Sequence, residues 1–165
     1  KYFDVFNPDL YDPRDWARQA KHAGMKYAVI TTKHHEGFCL FDSKVTDYKA
    51  TKTPARRDLI KDWVDAFRAE GLKVGFYYSL MDWHHPDGAR CFKDEKARRR
   101  FLDFTQGCVR ELMSNYGKAA AVVLAGRRVR TQDALQVLRK QHVLSDRFFE
   151  LIIEAERDAL KRRFA

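Results

Sequence analysis

The chain is sparing with the residues that staple or break a small fold. Its 165 residues include three cysteines, four prolines and eight glycines. Cys39, Cys91 and Cys108 are odd in number and form no CxxC pair, which argues against a zinc knuckle and against a disulfide framework. Buried or free thiols in a reducing compartment are the expectation. No apolar run approaches the length of a membrane span. The opening KYFDVFNPDL has no signal-peptide pattern, so the cytoplasm is the default compartment and no membrane partner is expected. An upstream targeting segment could precede Lys1. Acidic residues are also in deficit: 32 Lys+Arg stand against 23 Asp+Glu, a net charge of +9. Much of that excess is crowded into the end of the chain, where RRVR (127–130) and KRR (161–163) fall. A solvated helix face explains such runs more simply than nucleic acid, which is disfavoured as a partner.

What is present suits a folded domain. The AVILMFWYC set makes up 45% and aromatics 13%, enough to build a core at this length. DPRDWARQAKHAG reads as a helix, with Asp12 as N-cap, Pro13 at the first helical position and Gly24 as the stop. Trp16, Ala20 and Ala23 supply its apolar spacing. MKYAVITT reads as a short buried strand, followed by a polar loop from Lys33 to about Ala55. RDLIKDWVDAFRAEG is a second amphipathic helix with Leu59, Trp63 and Phe67 on one face and Gly71 at its end. LKVGFYYS is a second strand. DEKARRRFLDFTQGCVRELMSNYG is a long third helix closing at Gly117, and AAAVVLAG is a third apolar run read as a strand. This alternation predicts an α/β fold with a parallel sheet built from βαβ units. Past Gly126, RTQDALQVLRKQHV and SDRFFELIIEAERDALKRRFA read as a two-helix tail capped by Thr131 and Ser145. The expected division is 1–126 and 127–165.

In α/β units, sites assemble in the loops after the strands' C-terminal ends. A histidine pair falls in each of the first two such loops: His34 and His35 in KHHE, His84 and His85 in DWHHPD. Tyr77 and Tyr78 end the second strand on the same rim. Imidazoles and phenols donate to and accept from hydroxyl groups, and the Trp83 indole offers an apolar face, so a pocket for a small polar molecule is expected. A structural polar contact and a metal both remain open for an isolated histidine pair. His34, His35 and Glu36 are consecutive and lack the HExxH spacing that places two ligands on one helical face, so no metal and no cofactor are assigned.

The wording of three segments goes further. WARQAKHAGMKYAVITTKHHEGFCLFDSKVTDY, RRDLIKDWVDAFRAEGLKVGFYYSLMDWHHPD and RELMSNYG resemble the α-L-fucosidases of glycoside hydrolase family 29 in order, spacing and wording, over residues 1 to about 118. The TTKHHxGFCL stretch is highly specific, and Glu36 stands where the family more often has aspartate. The resemblance implies a (β/α)8-type TIM barrel that removes terminal L-fucose from a fucosylated glycan or fucoside with retention of configuration. It implies that His34 and His35 bind fucose hydroxyls and that Tyr77 lines the sugar pocket, with Trp83 at its rim and His84 and His85 as loop residues.

The resemblance also marks departures. The family's nucleophilic aspartate falls at Ala125 in this sequence, and the aromatic residue two places earlier falls at Val123. A methyl group cannot attack an anomeric carbon, so little or no turnover is expected and no catalytic residue is assigned. The family's first strand, with its own sugar-binding histidine, and the part bearing the acid/base are not recognisable. Three strands are too few for an eight-unit barrel, which takes at least about 200 residues. The expectation is therefore a partial barrel. A fragment, a graft, an altered reading frame past Lys118 or a degenerate enzyme would each produce it. A non-catalytic fucose-binding or structural role is the alternative, and self-association through an exposed sheet edge is expected.

Overall fold

A computed structural model describes residues 2–119 and 121–125 of the chain. Three α-helices and three β-strands alternate: α1 (Pro13–His22), β1 (Tyr27–Lys33), α2 (Leu59–Ala69), β2 (Lys73–Ser79), α3 (Glu95–Asn115) and β3 (Ala121–Ala125). The strands pair in parallel in the order β1-β2-β3. This is the α/β alternation read from the sequence, with α2 and α3 as the crossovers. The two helices expected beyond Gly126, and the basic runs there, lie outside the described residues.

Each helix starts on an aspartate whose carboxylate accepts otherwise unpaired first-turn N–H groups. Asp12 accepts from the amides of Arg14 and Asp15, at 3.0 and 3.1 Å. Asp58 accepts from Lys61 at 2.9 Å, and Asp94 from Lys96 and Ala97 at 2.9 and 3.2 Å. Gly24, Gly71 and Gly117 follow the three helices at positive φ, a left-handed turn that favours a residue without Cβ.

The core lies between the helices and the sheet. Ile60, Trp63, Val64 and Phe67 of α2 pack with Val74, Phe76 and Tyr78 of β2 and with Val109 and Leu112 of α3. Burying a side chain of this size contributes about 1.5–3 kcal/mol. Leu59, Trp63 and Phe67 share the buried face as the spacing predicts.

Two expectations need correction. On α1 the buried stripe is Pro13, Ala17 and Ala20. Trp16 is 48% exposed and packs edge-on against Tyr11, with ring centroids 5.1 Å apart, and Ala23 is exposed as the C-cap. The stripe is phased on the small residues, which let α1 approach closely. β1, expected to be buried, alternates instead: Tyr27 is 66% and Val29 42% exposed. Only its C-terminal Thr32 and Lys33 are fully buried, beneath the returning loop, and among the described residues it has one partner strand. β2, paired on both sides, is the strand that matches the buried pattern.

Candidate functional site

β1 and β2 end side by side, with Lys33 opposite Tyr78 in the register. The loops leaving them therefore share one rim. The loop after β1 folds back on its own strand. Cys39 bridges both Lys33 and Lys49, and Leu40 N–H donates to the Thr32 carbonyl at 2.9 Å. Gly37 turns it at φ +86°. Cys39, Phe41, Ser43 and Ala50 are buried, so the stretch expected to be a polar loop is anchored by its own interior side chains.

On this rim the four residues singled out from the sequence come together. The His34 and His35 rings are 4.2 Å apart. His34 stacks on Tyr77 at 5.8 Å with a 13° tilt, and His35 faces Trp83 at 5.4 Å. His34 lies 3.7 Å from the Glu36 carboxylate on the open side. The indole of Trp83 is 72% exposed, although its backbone N–H is fixed to the His35 carbonyl at 2.7 Å. His35 Nδ1 meets the Ser79 hydroxyl. That hydroxyl also donates to the Met81 carbonyl at 3.3 Å, which ties the imidazole to the end of β2. Stacked imidazoles, a phenol and an indole make a surface of donors and acceptors flanked by an apolar ring face, the composition that suits a polyhydroxylated ligand.

The second histidine pair does a different job. His84 stacks on Tyr48 of the first loop at 3.8 Å with a 10° tilt. His85 packs on Phe101 and Phe104 of α3, at 5.2 and 4.5 Å. Burial there pushes its imidazole pKa below the usual value, against the opposing pull of Asp82 and Asp87. His85 Nδ1 accepts from the Asp87 amide at 3.0 Å. Asp87 in turn grips Arg100 of α3 through two bonds of 2.8 Å, which hold its carboxyl below the usual carboxylate range. The pair therefore ties its loop to the first loop and to α3.

Sequence reasoning missed the residues beneath this surface. Lys33 and Asp82 form an ion pair of 3.1 Å with both side chains 1% exposed. The Lys33 ammonium also donates to the Met81 carbonyl at 3.1 Å and lies 4.7 Å from the Tyr78 ring centroid. A buried charge is visible in sequence only when its partner is known, and these two are 49 positions apart. Among the described residues, no three His, Cys, Asp or Glu side chains gather where they could hold a metal ion. A cleft of about 510 Å³ lies elsewhere, between α1 and α2, with Arg14, Arg18, Arg57, Asp62 and Asp65 in its wall. It shares none of the rim residues, and its mixed charges lie on the helix side of the sheet.

Comparison with known proteins gives a consistent set of relatives. The Alpha-L-fucosidase family profile matches residues 1–150. The putative alpha-L-fucosidase 1 of Oryza sativa subsp. japonica is 35% identical over 125 residues, covering 74% of this chain and 23% of the rice protein. Among solved structures, alpha-L-fucosidase isoenzyme 1 from Paenibacillus thiaminolyticus is 48% identical with a TM-score of 0.70, over 84% of this chain and 38% of that one. A family 29 alpha-L-fucosidase from Bacteroides thetaiotaomicron, trapped as a covalent intermediate with 2-fluoro-fucosyl fluoride, is 42% identical with a TM-score of 0.72, over 75% of this chain and 29% of that one. This chain thus spans between 23% and 38% of the length of these relatives.

Proposed function

From the premise that the chain belongs to the α-L-fucosidase family, we propose that it holds L-fucose at the ends of β1 and β2 and hydrolyses fucosides little or not at all. In this reading His34 and His35 exchange hydrogen bonds with the sugar hydroxyls, Tyr77 closes one side of the pocket, and Trp83 covers the apolar face of the ring. The observation that carries it is the cluster itself: rings 43 and 48 positions apart in sequence meet on one open surface. The wider scaffold would be part of a (β/α)8 barrel, a reading supported by TM-scores of 0.70 and 0.72 to solved fucosidases.

A retaining glycosidase works with two carboxylates about 5 Å apart, one attacking the anomeric carbon and one moving a proton. The family's attacking aspartate would fall at Ala125, the last residue of β3. Alanine offers neither charge nor lone pair, so the covalent step has no nucleophile there. What this chain's residues supply is recognition and orientation.

Two measurements on the purified chain test the reading together. Calorimetry with L-fucose should give saturable heat in the millimolar range, and 4-nitrophenyl α-L-fucoside should release no nitrophenolate above the solvent rate. A folded chain that gives no heat would overturn the sugar-binding half. Saturable hydrolysis would overturn the Ala125 argument. Recovery of turnover in Ala125→Asp would show that this one side chain limits the chemistry.

A further inference from the structure

We propose that Asp82 is a positioning residue that holds the two histidine pairs in register with one another, with Lys33 as its buried partner. Its consequence for ligand binding rests on the fucose reading above.

Asp82 sits where the two rim loops meet, and both of its carboxylate oxygens are committed. Oδ2 takes the Lys33 ammonium at 3.1 Å. Oδ1 accepts the backbone N–H groups of both His84 and His85, at 3.0 and 2.8 Å. One carboxylate therefore fixes the last residue of β1, directly before His34, and the backbone of the second pair. Two glycines leave it room. A Cβ on Gly37 would strike the Asp82 side chain, and one on Gly88 would strike the Asp82 carbonyl. Packing and hydrogen bonding thus close around this side chain from both loops.

The arrangement fixes the recognition surface by a short route. Trp83 follows Asp82 directly, and its N–H is bound to the His35 carbonyl at 2.7 Å. The angle of Trp83 against His35, and that of His84 against Tyr48, are both set within two residues of the Asp82 carboxylate. Lys33 donates further to the carbonyls of Met81 and His34, at 3.1 and 3.4 Å. The pair thereby pins the backbone entering both histidine motifs. Both charges are out of water, so they hold one geometry instead of exchanging partners with solvent.

The test uses two variants of the isotope-labelled chain. Lys33→Met/Asp82→Leu removes both buried charges at similar volume and should fold, because neither charge is left alone. Asp82→Asn keeps an oxygen for the His84 and His85 amides but loses the charge that holds Lys33. In the double variant the imidazole signals of His34, His35, His84 and His85 should move, while that of His22 on α1 stays in place. In Asp82→Asn the first pair should move more than the second. L-fucose affinity should fall at least tenfold in the double variant. Imidazole signals coincident with those of the parent chain would overturn the proposal, and so would fucose affinity within twofold in a folded double variant. Should the signals move while the parent chain itself binds no L-fucose, positioning stands and the sugar reading falls.

Discussion

Three parallel strands finish side by side, with Lys33 opposite Tyr78 and Ser79 opposite Ala125, yet they offer a ligand very different things. The first two ends open into loops that gather imidazole, phenol and indole rings close to a buried ion pair. The third ends in AVVLA, a run with no side-chain donor or acceptor. All three run parallel, with one irregularity between Thr31 and Lys33 of β1. The difference teaches that a strand end becomes a recognition surface through the side chains its loop returns to it. In the fucose reading it also separates holding a sugar from cleaving one, because the two tasks would fall to different strands.

The sharpest way to break that contrast is to empty one end and alter the other. His34→Ala/His35→Ala removes both stacked imidazoles and should cost about 3 kcal/mol of L-fucose binding, more than a hundredfold. Millimolar affinity would then vanish from a calorimetric titration. Ala125→Ser should leave the affinity within twofold. Equal losses at both ends would refute the division of labour.

The next effect separates scaffold from rim. Asp58 caps α2 and also accepts from the Asp42 amide at 3.1 Å and the Tyr116 hydroxyl at 2.6 Å. Asp58→Ala should cost about 2 kcal/mol, part from the lost cap and part from an abandoned buried hydroxyl. Thermal unfolding followed by circular dichroism should drop by roughly 4–8 °C for a chain of this size. Fucose affinity measured well below that transition should be unchanged, since the side-chain bonds of Asp58 go to Lys61, Asp42 and Tyr116 and to none of His34, His35, Tyr77 or Trp83.

The fold was legible because its signals are local. Asp12, Gly24, Gly71 and Gly117 act on their own helix ends, and the spacing of Leu59, Trp63 and Phe67 marks one helix face. Trp16 departs from the expected stripe because aromatic size suggests burial, whereas α1 is phased on Ala17 and Ala20, which permit close approach. Of the candidate site, the side chains that face outward could be named from the sequence. The support beneath could not, since nothing local links Lys33 to Asp82 or His35 to Ser79. The Asp82-x-His84 spacing, in which a carboxylate caps amides two and three residues on, is the one local sign of that support.

A smaller effect concerns the wiring of the second loop. Burial against Phe101 and Phe104 pushes the His85 imidazole below its usual value, so the unfolded chain binds its proton more readily than the folded one. The stability that follows is fully present above about pH 6.5 and declines as pH falls below it. Asp87, held low by Arg100, acts in a separate window. Its contribution is present above the usual carboxylate value near 3.9 and is lost as pH falls further, through its folded value. Urea midpoints measured from pH 7.5 to 5 should therefore decline, and His85→Gln should flatten that decline without touching the lower window. An unaltered slope in the variant would assign the dependence to another group.

The smallest expected change lies under the rim. Tyr78 is fully buried beneath Lys33, and its hydroxyl makes no hydrogen bond of normal geometry among the described residues, with the Cys108 thiol its polar neighbour. Burial, with the thiols of Cys108 and Cys39 adding to it, pushes the phenol pKa far above its usual value, so the group stays neutral. A buried hydroxyl with at most a weak thiol partner carries its desolvation cost with little compensation. Tyr78→Phe keeps the ring that faces the Lys33 ammonium and removes only that oxygen. The variant should be as stable as the parent chain or up to about 1 kcal/mol more so, read from the urea midpoint at constant slope. A loss of more than 1 kcal/mol would mean that a neighbouring thiol engages the hydroxyl, and that the polar network reaches one layer deeper than the rim.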